Sequence, residues 1–573
     1  GGRSSKSKAQ PDPRWLREWK EQMAQGVISV SANGAYEDVE IDPQYGPRLW
    51  LSNGRKGHFD LPKPWPSMSS ADQKVLVFKA AQRNPEMRSV AMEAIENTKS
   101  PEQRVAERCT KEVKKRKTFW NFISYQTVND NHAKVAPGAI YGLDFPWSED
   151  MLLTYGATWL TRAFHAAGSM SEGNRVTQVI AEKKRVTGGN NSGKFLFEVR
   201  YKTPGPGLHE KLFAKVPFAL SGATQNDRLS SSVNKQPMDL YEINAYRLFE
   251  DRFPVRVPKF YFGDISNETS NCILITERMP YAGPGPVKSD EVEGYDKCKD
   301  YQIAGPPEEY YAALMQVHGK VAAAYKAGKF GAEDFLEGNI QTAGRSTDIP
   351  ELWGVNPHAS TGTPPAQLSQ QLDVAIKFMS ETAKAIFPAY VTEESFKTKW
   401  ANTIMHLAAY SAEFTYWKWN DSDYVTLGHQ NLNIDNAFFW RDRDGILDAG
   451  IIDLGGFGMG PLHHRIWWGM NCADFENFRD NLSTYLDVFM ESYQAHGGPA
   501  LDKATLRLGV LLTAIEVQGW MAASVPNCLK QCSAKEWPTI KDRHDPRIAG
   551  DIGGKTTLRT TLHVLGMGLR IME

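Results

Sequence analysis

Five strand-like runs and one helix-like run follow one another between residues 176 and 279, and this order constrains the fold more than any other feature of the chain. β-Branched and aromatic residues dominate the strand-like runs VTQVIAEKKRV, KFLFEVRYK, LHEKLFAKVPF, VPKFYFGDIS and CILITERM. The linker TGGNNSG after the first run is typical of a hairpin turn. MDLYEINAYRLFEDRF, after the third run, has apolar residues at helical spacing. The pattern predicts a five-stranded antiparallel lobe with one inserted helix.

The remaining sequence is mainly helical in pattern. Residues 149–164 have helical periodicity behind Ser148, a residue type that caps helix N-termini well. Past Pro280 the periodicity is again helical, except in the strand–loop–strand segment LGHQNLNIDNAFFWRDRDGILDAGIIDLGG. We therefore predict an α+β, two-lobed fold, with a small antiparallel β lobe over residues 141–280 and a mainly helical lobe over residues 281–573.

Residues 1–140 are predicted to form an amino-terminal extension, partly helical and partly irregular. Helical spacing occurs at 15–23 and 71–117, on either side of a stretch rich in Pro, Trp and Gly. The basic run at 111–117 is interpreted as a solvated helix face, with a phosphate- or lipid-binding patch as the alternative. Because Trp- and Pro-rich segments commonly contact other proteins, a protein partner is expected here.

Composition excludes several classes of function. The formal net charge of −1 provides no overall field that would draw the chain to nucleic acid or anionic lipid. No apolar run reaches the ~20 residues that span a bilayer, so no transmembrane segment is expected. The six cysteines are scattered, with only Cys528 and Cys532 close, and no zinc-site spacing occurs. We expect a soluble protein of a reducing compartment, either the cytoplasm or an organelle after removal of a transit peptide.

The segment GGNNSGK at 188–194 matches only the first part of the phosphate-loop pattern GxxxxGK. Phe195 stands where that motif needs Ser or Thr, and a strand-like run follows where it needs a helix N-terminus. A glycine-rich hairpin can nevertheless cover nucleotide phosphates in another fold. Gly189 and Gly193 are therefore candidate cofactor-binding residues.

Lys215 lies in the apolar strand-like run LFAKVPF, where a lysine needs a counter-charge unless it faces solvent. Glu242, on the following helix-like run, can supply that charge and hold the ammonium toward the α- and β-phosphates of a nucleotide. The alternative for Lys215 alone is an ordinary solvent-facing lysine. We predict an ion pair between Lys215 and Glu242.

The strand–loop–strand segment carries a second polar set, HQNLNIDN at 429–436 and Asp453 in GIIDLGG. A hairpin with the turn WRDRDG brings Asn436 and Asp453 to one end of two strands. Amide and carboxylate oxygens are hard ligands that suit Mg²⁺, so these two residues are candidate metal ligands. Ordinary polar turn residues are the alternative.

These residues resemble the phosphotransfer signature HxDxxxxN, a hydrophobic strand and IIDxxx, of the aminoglycoside phosphotransferases, choline kinases and ecdysteroid-kinase-like proteins. The run from WLTRAF to YEINAYRLF also resembles the start of the ecdysteroid-kinase-like proteins, and the resemblance covers roughly residues 149–470. It implies a protein-kinase-like fold that binds ATP and Mg²⁺. The segment ITERMPY at 275–281 then falls at the interlobe hinge, with Glu277 and Met279 as candidate adenine contacts.

The resemblance also assigns roles to the residues singled out above. It makes Lys215 the phosphate-contacting lysine and Glu242 its partner on the helix. It makes His429 a support of the loop, and Asn436 and Asp453 the magnesium ligands.

One position departs from the signature. Where the family has its catalytic Asp, this chain has Asn431, whose amide can bond an acceptor hydroxyl but cannot take its proton. Loss of a general base typically costs ~10²–10⁴ in rate. Asp435 is a candidate surrogate base, with support of the metal site as the alternative. The adjacent His463 and His464 are expected to pack rather than bind a metal, because no third ligand is evident.

Two functional hypotheses follow from this combination. In the first, the protein binds Mg-ATP and has weakened or lost phosphotransferase activity toward a small-molecule hydroxyl. In the second, it is a non-catalytic pseudokinase that serves as a structural or regulatory subunit. An active small-molecule kinase that uses Asp435 or the substrate as base is a further alternative. The acceptor itself is not indicated by the sequence, because the fold does not fix the function.

Overall fold

The computed structural model describes residues 123–573, apart from 186–191, 223–224, 230–231, 234–235, 284–285, 333–334, 337–338, 341–362, 364, 534 and 551–554, together with four strands between residues 28 and 58. Those four strands form a small antiparallel sheet, in which neighbours in sequence pair: β1 (Ile28–Ser31), β2 (Tyr36–Asp42), β3 (Gly46–Leu51) and β4 (Lys56–His58). The sequence analysis predicted irregular structure here and missed the strands. The helices predicted at 15–23 and 71–117 lie outside the described residues. This sheet belongs to one compact unit of the chain, as do residues 365–368 and 409–416, and the rest of the two lobes below belongs to the other.

The amino-terminal lobe contains a single five-stranded antiparallel sheet with the order β5-β6-β7-β9-β8. Its strands are β5 (Val176–Arg185), β6 (Gly193–Tyr201), β7 (Lys211–Val216), β8 (Phe260–Ile265) and β9 (Cys272–Glu277). The helices are α1 (Tyr125–Asn131), α2 (Glu149–Ala166), α3 (Gln225–Leu229) and α4 (Met238–Phe249), and α4 lies between β7 and β8 in the chain. The predicted five strands and inserted helix are confirmed.

The two faces of this sheet bury different side chains, because successive residues of a strand point to opposite faces. One face packs Phe195 and Phe197 of β6 and Ala214 of β7 against Trp159 and Phe164 of α2. On the other face, Leu274 of β9 joins a core that includes α4 and continues into the helical lobe. Lys215 of β7 points to this second face, and Glu242 belongs to α4, which packs on the same side.

Helix α2 begins as its sequence predicts. The Ser148 hydroxyl accepts a hydrogen bond from the Met151 N–H (3.3 Å) and so satisfies one of the free donors of the first turn. Gly156 has a positive φ of 63°, which divides α2 into two helical segments at a position where a side chain would be strained.

Residues 123–141 are hydrogen-bonded to the amino-terminal lobe. The buried Asp264 carboxylate accepts the N–H groups of Ile140 and Tyr141, each at 2.9 Å. The Gln236 amide bonds both backbone groups of Ile123. This part of the predicted extension therefore packs on the β lobe.

The carboxyl-terminal lobe is mainly helical. Its helices are α5 (Pro307–Lys326), α6 (Pro365–Lys377), α7 (Glu394–Ala409), α8 (Ser411–Asn420), α9 (Leu462–Met470), α10 (Phe475–Ala495), α11 (Lys503–Gln531), α12 (Pro546–Ala549) and α13 (Lys555–Met572). Two short antiparallel pairs interrupt them: β10 (Val425–His429) with β13 (Phe457–Pro461), and β11 (Ala437–Arg441) with β12 (Leu447–Ile451). The hairpin predicted from AFFW and ILDAGII is therefore confirmed.

The pair β10–β13 is braced by a buried arginine. The Arg465 guanidinium donates to the carbonyl oxygens of Thr426 (2.9 Å) and Gly458, which lie on the two different strands. A Cβ at Gly428 would lie 2.3 Å from Nη1 of this guanidinium, so β10 needs glycine there. Burial lowers the pKa of Arg465 to about 9. The brace fixes the two strands that lead into the polar loops of this lobe.

The stretch Lys503–Lys530 of α11 is long and apolar enough to cross a membrane by length and composition, and it is the single such helix in the part of the chain that the structure describes. The sequence analysis expected no such run. More than half of its most apolar stretch is buried inside the protein, and core helices of soluble proteins can be equally long and apolar.

The five cysteines of the described residues are buried free thiols.

Helices α5 and α10 pack closely at Gly319. A Cβ added there would lie 2.7 Å from Ser492 Cβ and 2.8 Å from the Phe489 carbonyl oxygen. Although Gly→Ala normally favours a helix by roughly 1 kcal/mol, we expect Gly319→Ala to destabilise the protein by about 1–3 kcal/mol, because the backbone of α10 must move. Urea denaturation measures this effect. Gly566→Ala in α13, whose nearest neighbour would lie at 4.0 Å, is the matched control and should not destabilise.

His463 gives the lobe a pH-dependent stability. Its ring stacks on Tyr424 (5.2 Å between centroids) and lies 4.9 Å from Trp417, and neither ring nitrogen has a hydrogen-bond partner in the described residues. Burial lowers the pKa of His463 to about 3, so the unfolded chain takes up the proton first as pH falls below ~6.5. At pH 5 this proton uptake lowers the free energy of unfolding by about 2 kcal/mol, a loss that is absent at pH 7.5.

We therefore expect His463→Phe to lose less stability than the wild type between pH 7.5 and pH 5, by about 2 kcal/mol. Denaturant unfolding at both pH values measures this difference, in which any change of packing energy cancels. Exposed His544, replaced by Phe, is the control. An identical pH dependence for His463→Phe and the wild type would contradict the assignment.

Candidate functional site

One ammonium group joins the two lobes. Lys215 Nζ on β7 lies 2.9 and 2.7 Å from the two carboxylate oxygens of Glu242 on α4, so the predicted ion pair is present. The same nitrogen lies 2.9 Å from Asp453 Oδ1, which belongs to the helical lobe. Only 12% of the Lys215 side chain and 7% of the Glu242 side chain are exposed, whereas 44% of Asp453 is exposed.

Lys215 stabilises the charges of both carboxylates, but burial, helped by Asp453, still raises the pKa of Glu242 to about 7. Burial acts to lower the pKa of Lys215, but Asp453 and Glu242 outweigh it and hold that pKa well above its ordinary value. Lys215 in turn lowers the pKa of Asp453. The cluster therefore presents a fixed ammonium and a half-exposed carboxylate at neutral pH.

His429 ties the two polar loops together. Its Nε2–H donates to the Ile452 carbonyl oxygen (3.0 Å), and its Nδ1 accepts the Asn431 N–H (3.0 Å). Because each ring nitrogen bonds a backbone group, the imidazole is neutral and its tautomer is fixed. Burial lowers its pKa accordingly. This geometry is the one that a support of the loop requires.

Asn431, for which the sequence resemblance implies the base position, belongs to a network of amides. Its Oδ1 accepts a hydrogen bond from Asn433 Nδ2 (2.6 Å), and its backbone carbonyl accepts one from Asn436 Nδ2 (2.6 Å). The other polar atom of the Asn431 side chain is the amide nitrogen, which is a donor. The loop therefore offers a hydrogen-bond donor where a kinase needs a proton acceptor.

Asn436 and Asp453 remain the candidate magnesium ligands. The Ile452 N–H donates to the Asn436 carbonyl oxygen (2.9 Å), which joins the backbone on either side of the β11–β12 hairpin. Because Asn436 Nδ2 is used by Asn431, its amide oxygen is the atom that a cation would meet. One amide oxygen and one half-exposed carboxylate fit Mg²⁺.

Asp435 does not present a free carboxylate. Its Oδ2 lies 3.5 Å from Lys297 Nζ, and its Oδ1 is buried. Burial raises the pKa of Asp435, and Lys297 opposes that rise. This placement favours a supporting role over that of a surrogate base.

Sequence reasoning missed Lys194 and the row of side chains beside it. In the sheet register, Lys194 of β6 lies directly opposite Lys215 of β7, and Leu196 lies opposite Phe213 two residues along. Direct partners share a face, so the second face of the sheet bears a lysine pair followed by an apolar pair. The alternation in GKFLFEVRY could have shown this face, but the register with β7 could not be read from it.

The other candidate cofactor-binding residues are Glu277, Met279, Gly193 and Gly189. The Glu277 carboxylate accepts from Arg256 Nη2 (3.1 Å) and from the Lys259 N–H (3.2 Å), so the side chain is used within the lobe. Met279 is buried beside Val292 and Phe438. Gly193 begins β6, which confirms a strand where a phosphate loop would need a helix, and Gly189 lies outside the described residues.

A cavity of about 290 Å³ lies in the helical lobe. Cys298, the residue after Lys297, is part of its wall, and so are Phe475 of α10 and His563 of α13. Its charged wall residues include the ion pairs Arg543–Asp474 and Arg570–Glu476. Its size approaches that of small-molecule binding sites, which start near 300 Å³.

The sheet with one inserted helix, followed by a mainly helical lobe with two short strand pairs, is the α+β, two-lobed arrangement that the sequence analysis predicted. No protein-family model matches the chain, and no curated protein is similar to it in sequence.

Solved structures with a similar fold include three small-molecule phosphotransferases. The microcompartment-associated aminopropanol kinase has 12% identity and a TM-score of 0.33, with 72% of this chain and 99% of that chain covered. Aminoglycoside phosphotransferase APH(3'')-Id from Streptomyces rimosus has 12% identity and a TM-score of 0.27, with 57% and 91% covered. Choline kinase from Cryptosporidium parvum has 9% identity and a TM-score of 0.30, with 62% and 86% covered.

Proposed function

We propose that this protein binds Mg-ATP between its two lobes and has weakened or lost the ability to transfer phosphate to a small-molecule hydroxyl. One observation carries the proposal: Lys215 is held by Glu242 and Asp453, while the base position next to this cluster is an asparagine. The Lys215 cluster is the arrangement that a kinase needs for nucleotide phosphates. The asparagine at position 431 removes the proton acceptor.

The second face of the sheet supports nucleotide binding by its order of side chains. The Lys194–Lys215 pair suits phosphate groups, and the Leu196–Phe213 pair suits the flat apolar surface of a base or ribose. Two lysines directly opposite each other repel, and an anion between them removes that cost. Burial and then Lys215 lower the pKa of Lys194. Mg²⁺, when bound by Asn436 and Asp453, would neutralise phosphate charge.

The amide network supports the loss of transfer. In a transfer step, the acceptor oxygen attacks the γ-phosphorus, ADP leaves, and a base takes the hydroxyl proton. The donor nitrogen of Asn431 cannot take that proton. Asp435, the alternative base, is paired with Lys297. Residual transfer would thus rest on positioning and charge alone.

The cavity beside Cys298 is where we expect an acceptor, if one is bound. Lys297, the preceding residue, reaches Asp435 of the loop that contains Asn431. The second candidate function is a pseudokinase subunit with no acceptor, and the same amide network favours it. The two candidates differ in what a restored base would do.

We expect Lys215→Met to lower Mg-ATP affinity at least about tenfold in calorimetric titration, because a charge-assisted contact to phosphate is lost. Lys211→Met on the same strand is the control, since Lys211 is exposed and far from Asp453 along β7. Asp453→Asn keeps the Lys215–Glu242 pair and should lose most of the Mg²⁺ dependence of binding. Unchanged ATP affinity in Lys215→Met would contradict the nucleotide site.

We expect Asn431→Asp to raise ADP release about 100-fold or more over the wild type with an alcohol or water as acceptor, since a base contributes ~10²–10⁴ in rate. The new carboxylate can still accept from Asn433 Nδ2, so the loop should keep its shape. Asn129→Asp, an exposed asparagine on α1, is the control. No gain, with ATP binding intact, would favour the pseudokinase subunit. Wild-type turnover at ~1–100 s⁻¹ would contradict both candidates.

A further inference from the structure

A third lysine reaches the site from a segment outside all of the predicted motifs. Lys297 follows the hinge region in sequence, and only 14% of its side chain is exposed. Its Nζ lies 3.5 Å from Asp435 Oδ2, in the loop between His429 and Asn436. It is also close enough to Asp453 for the two charges to interact. Lys194 and Lys215 lie on the sheet, so Lys297 adds a cation from the helical lobe.

The backbone at Lys297 is held in place by its neighbours. The buried Arg559 donates from Nε to the Lys297 carbonyl oxygen (2.8 Å). The next residue, Cys298, is buried with a positive φ of 59°, a left-handed conformation that non-glycine residues rarely adopt. Such conformations persist where the surroundings enforce them and are frequent at functional sites.

The ion pair with Asp435 leaves Lys297 able to bind a ligand. At 3.5 Å the contact is longer than an ordinary N–H···O hydrogen bond, and an ammonium has three donors. A cation held loosely at the mouth of a loop can turn toward a stronger anion such as a phosphate.

The position of Lys297 indicates which phosphate it would meet. Lys215 marks the side of the site where the α- and β-phosphates are expected. Asn431, on the same loop as Asp435, is at the position where the terminal phosphate and an acceptor would meet. Lys297 contacts this loop through Asp435.

We infer that Lys297 binds the terminal phosphate of a nucleoside triphosphate and so gives the site its preference for ATP over ADP. The inference rests on the proposed nucleotide site. It adds a binding residue that the phosphotransfer signature does not contain. The alternative role is neutralisation of Asp435 alone, which would affect stability without changing the choice of nucleotide.

The test is a calorimetric titration of wild type, Lys297→Met and Lys297→Arg with Mg-ATP and with Mg-ADP. We expect Lys297→Met to lose about tenfold or more in ATP affinity, with ADP affinity changed less than twofold and with rescue by Lys297→Arg. Lys288→Met is the control, since Lys288 belongs to the same segment, is exposed and pairs with Glu291. Thermal unfolding of each variant separates stability from selectivity.

Equal losses for ATP and ADP, or no loss for either, would overturn the inference. If Lys297→Met does not fold, Asp435→Asn serves instead, because releasing Lys297 from its carboxylate should raise the ratio of ATP to ADP affinity. A lower ratio in that variant would also overturn it. Absence of any nucleotide binding by the wild type would refute the proposed function itself, and the same titration shows that outcome separately.

Discussion

The shared ammonium of Lys215 is the interaction on which the rest of the site depends. A buried charge without a partner is costly, and Lys215 avoids that cost only when α4 and the turn after β12 both supply carboxylates. Glu242 belongs to the same lobe as Lys215, whereas Asp453 belongs to the other. The cluster thus couples the packing of α4 on the sheet to the position of the Asp453 turn. Because His429 bonds the carbonyl of Ile452, this coupling extends to the loop that contains Asn431.

The sequence predicted those parts of the structure that local patterns determine. Alternation and helical periodicity gave the five strands, α4 and the β11–β12 hairpin, and an apolar strand with one lysine gave the Lys215–Glu242 pair. It missed the strands β1–β4, for which the pattern was too weak. It also missed the contact between Lys215 and Asp453, because the two residues are far apart in sequence. Cross-strand register and long loops leave no periodicity to read, which is why Lys194 and Lys297 were not singled out.

The asparagines of the polar loop form a connected network in which each amide has a definite partner. Asn433 bonds the Asn431 side chain, and Asn436 bonds the Asn431 carbonyl. An amide or a carboxylate at position 431 can accept these bonds, so the loop needs no carboxylate there to keep its shape. Loss of the base therefore needs no loss of the loop structure, and the nucleotide half of the site can persist independently of transfer. The fold alone does not distinguish a protein that only binds nucleotide from one that also transfers phosphate.

The change from Asp to Asn also alters the charge that a bound triphosphate would meet. A carboxylate at position 431 would repel the terminal phosphate of the ground state, while an amide nitrogen donates to it. The same carboxylate would assist the transition state by taking a proton. In the proposed site, an amide at this position would therefore favour binding of the intact nucleotide over its conversion. With Lys194, Lys215 and Lys297 around Asp453, the proposed site is suited to binding a triphosphate rather than to transferring its terminal phosphate.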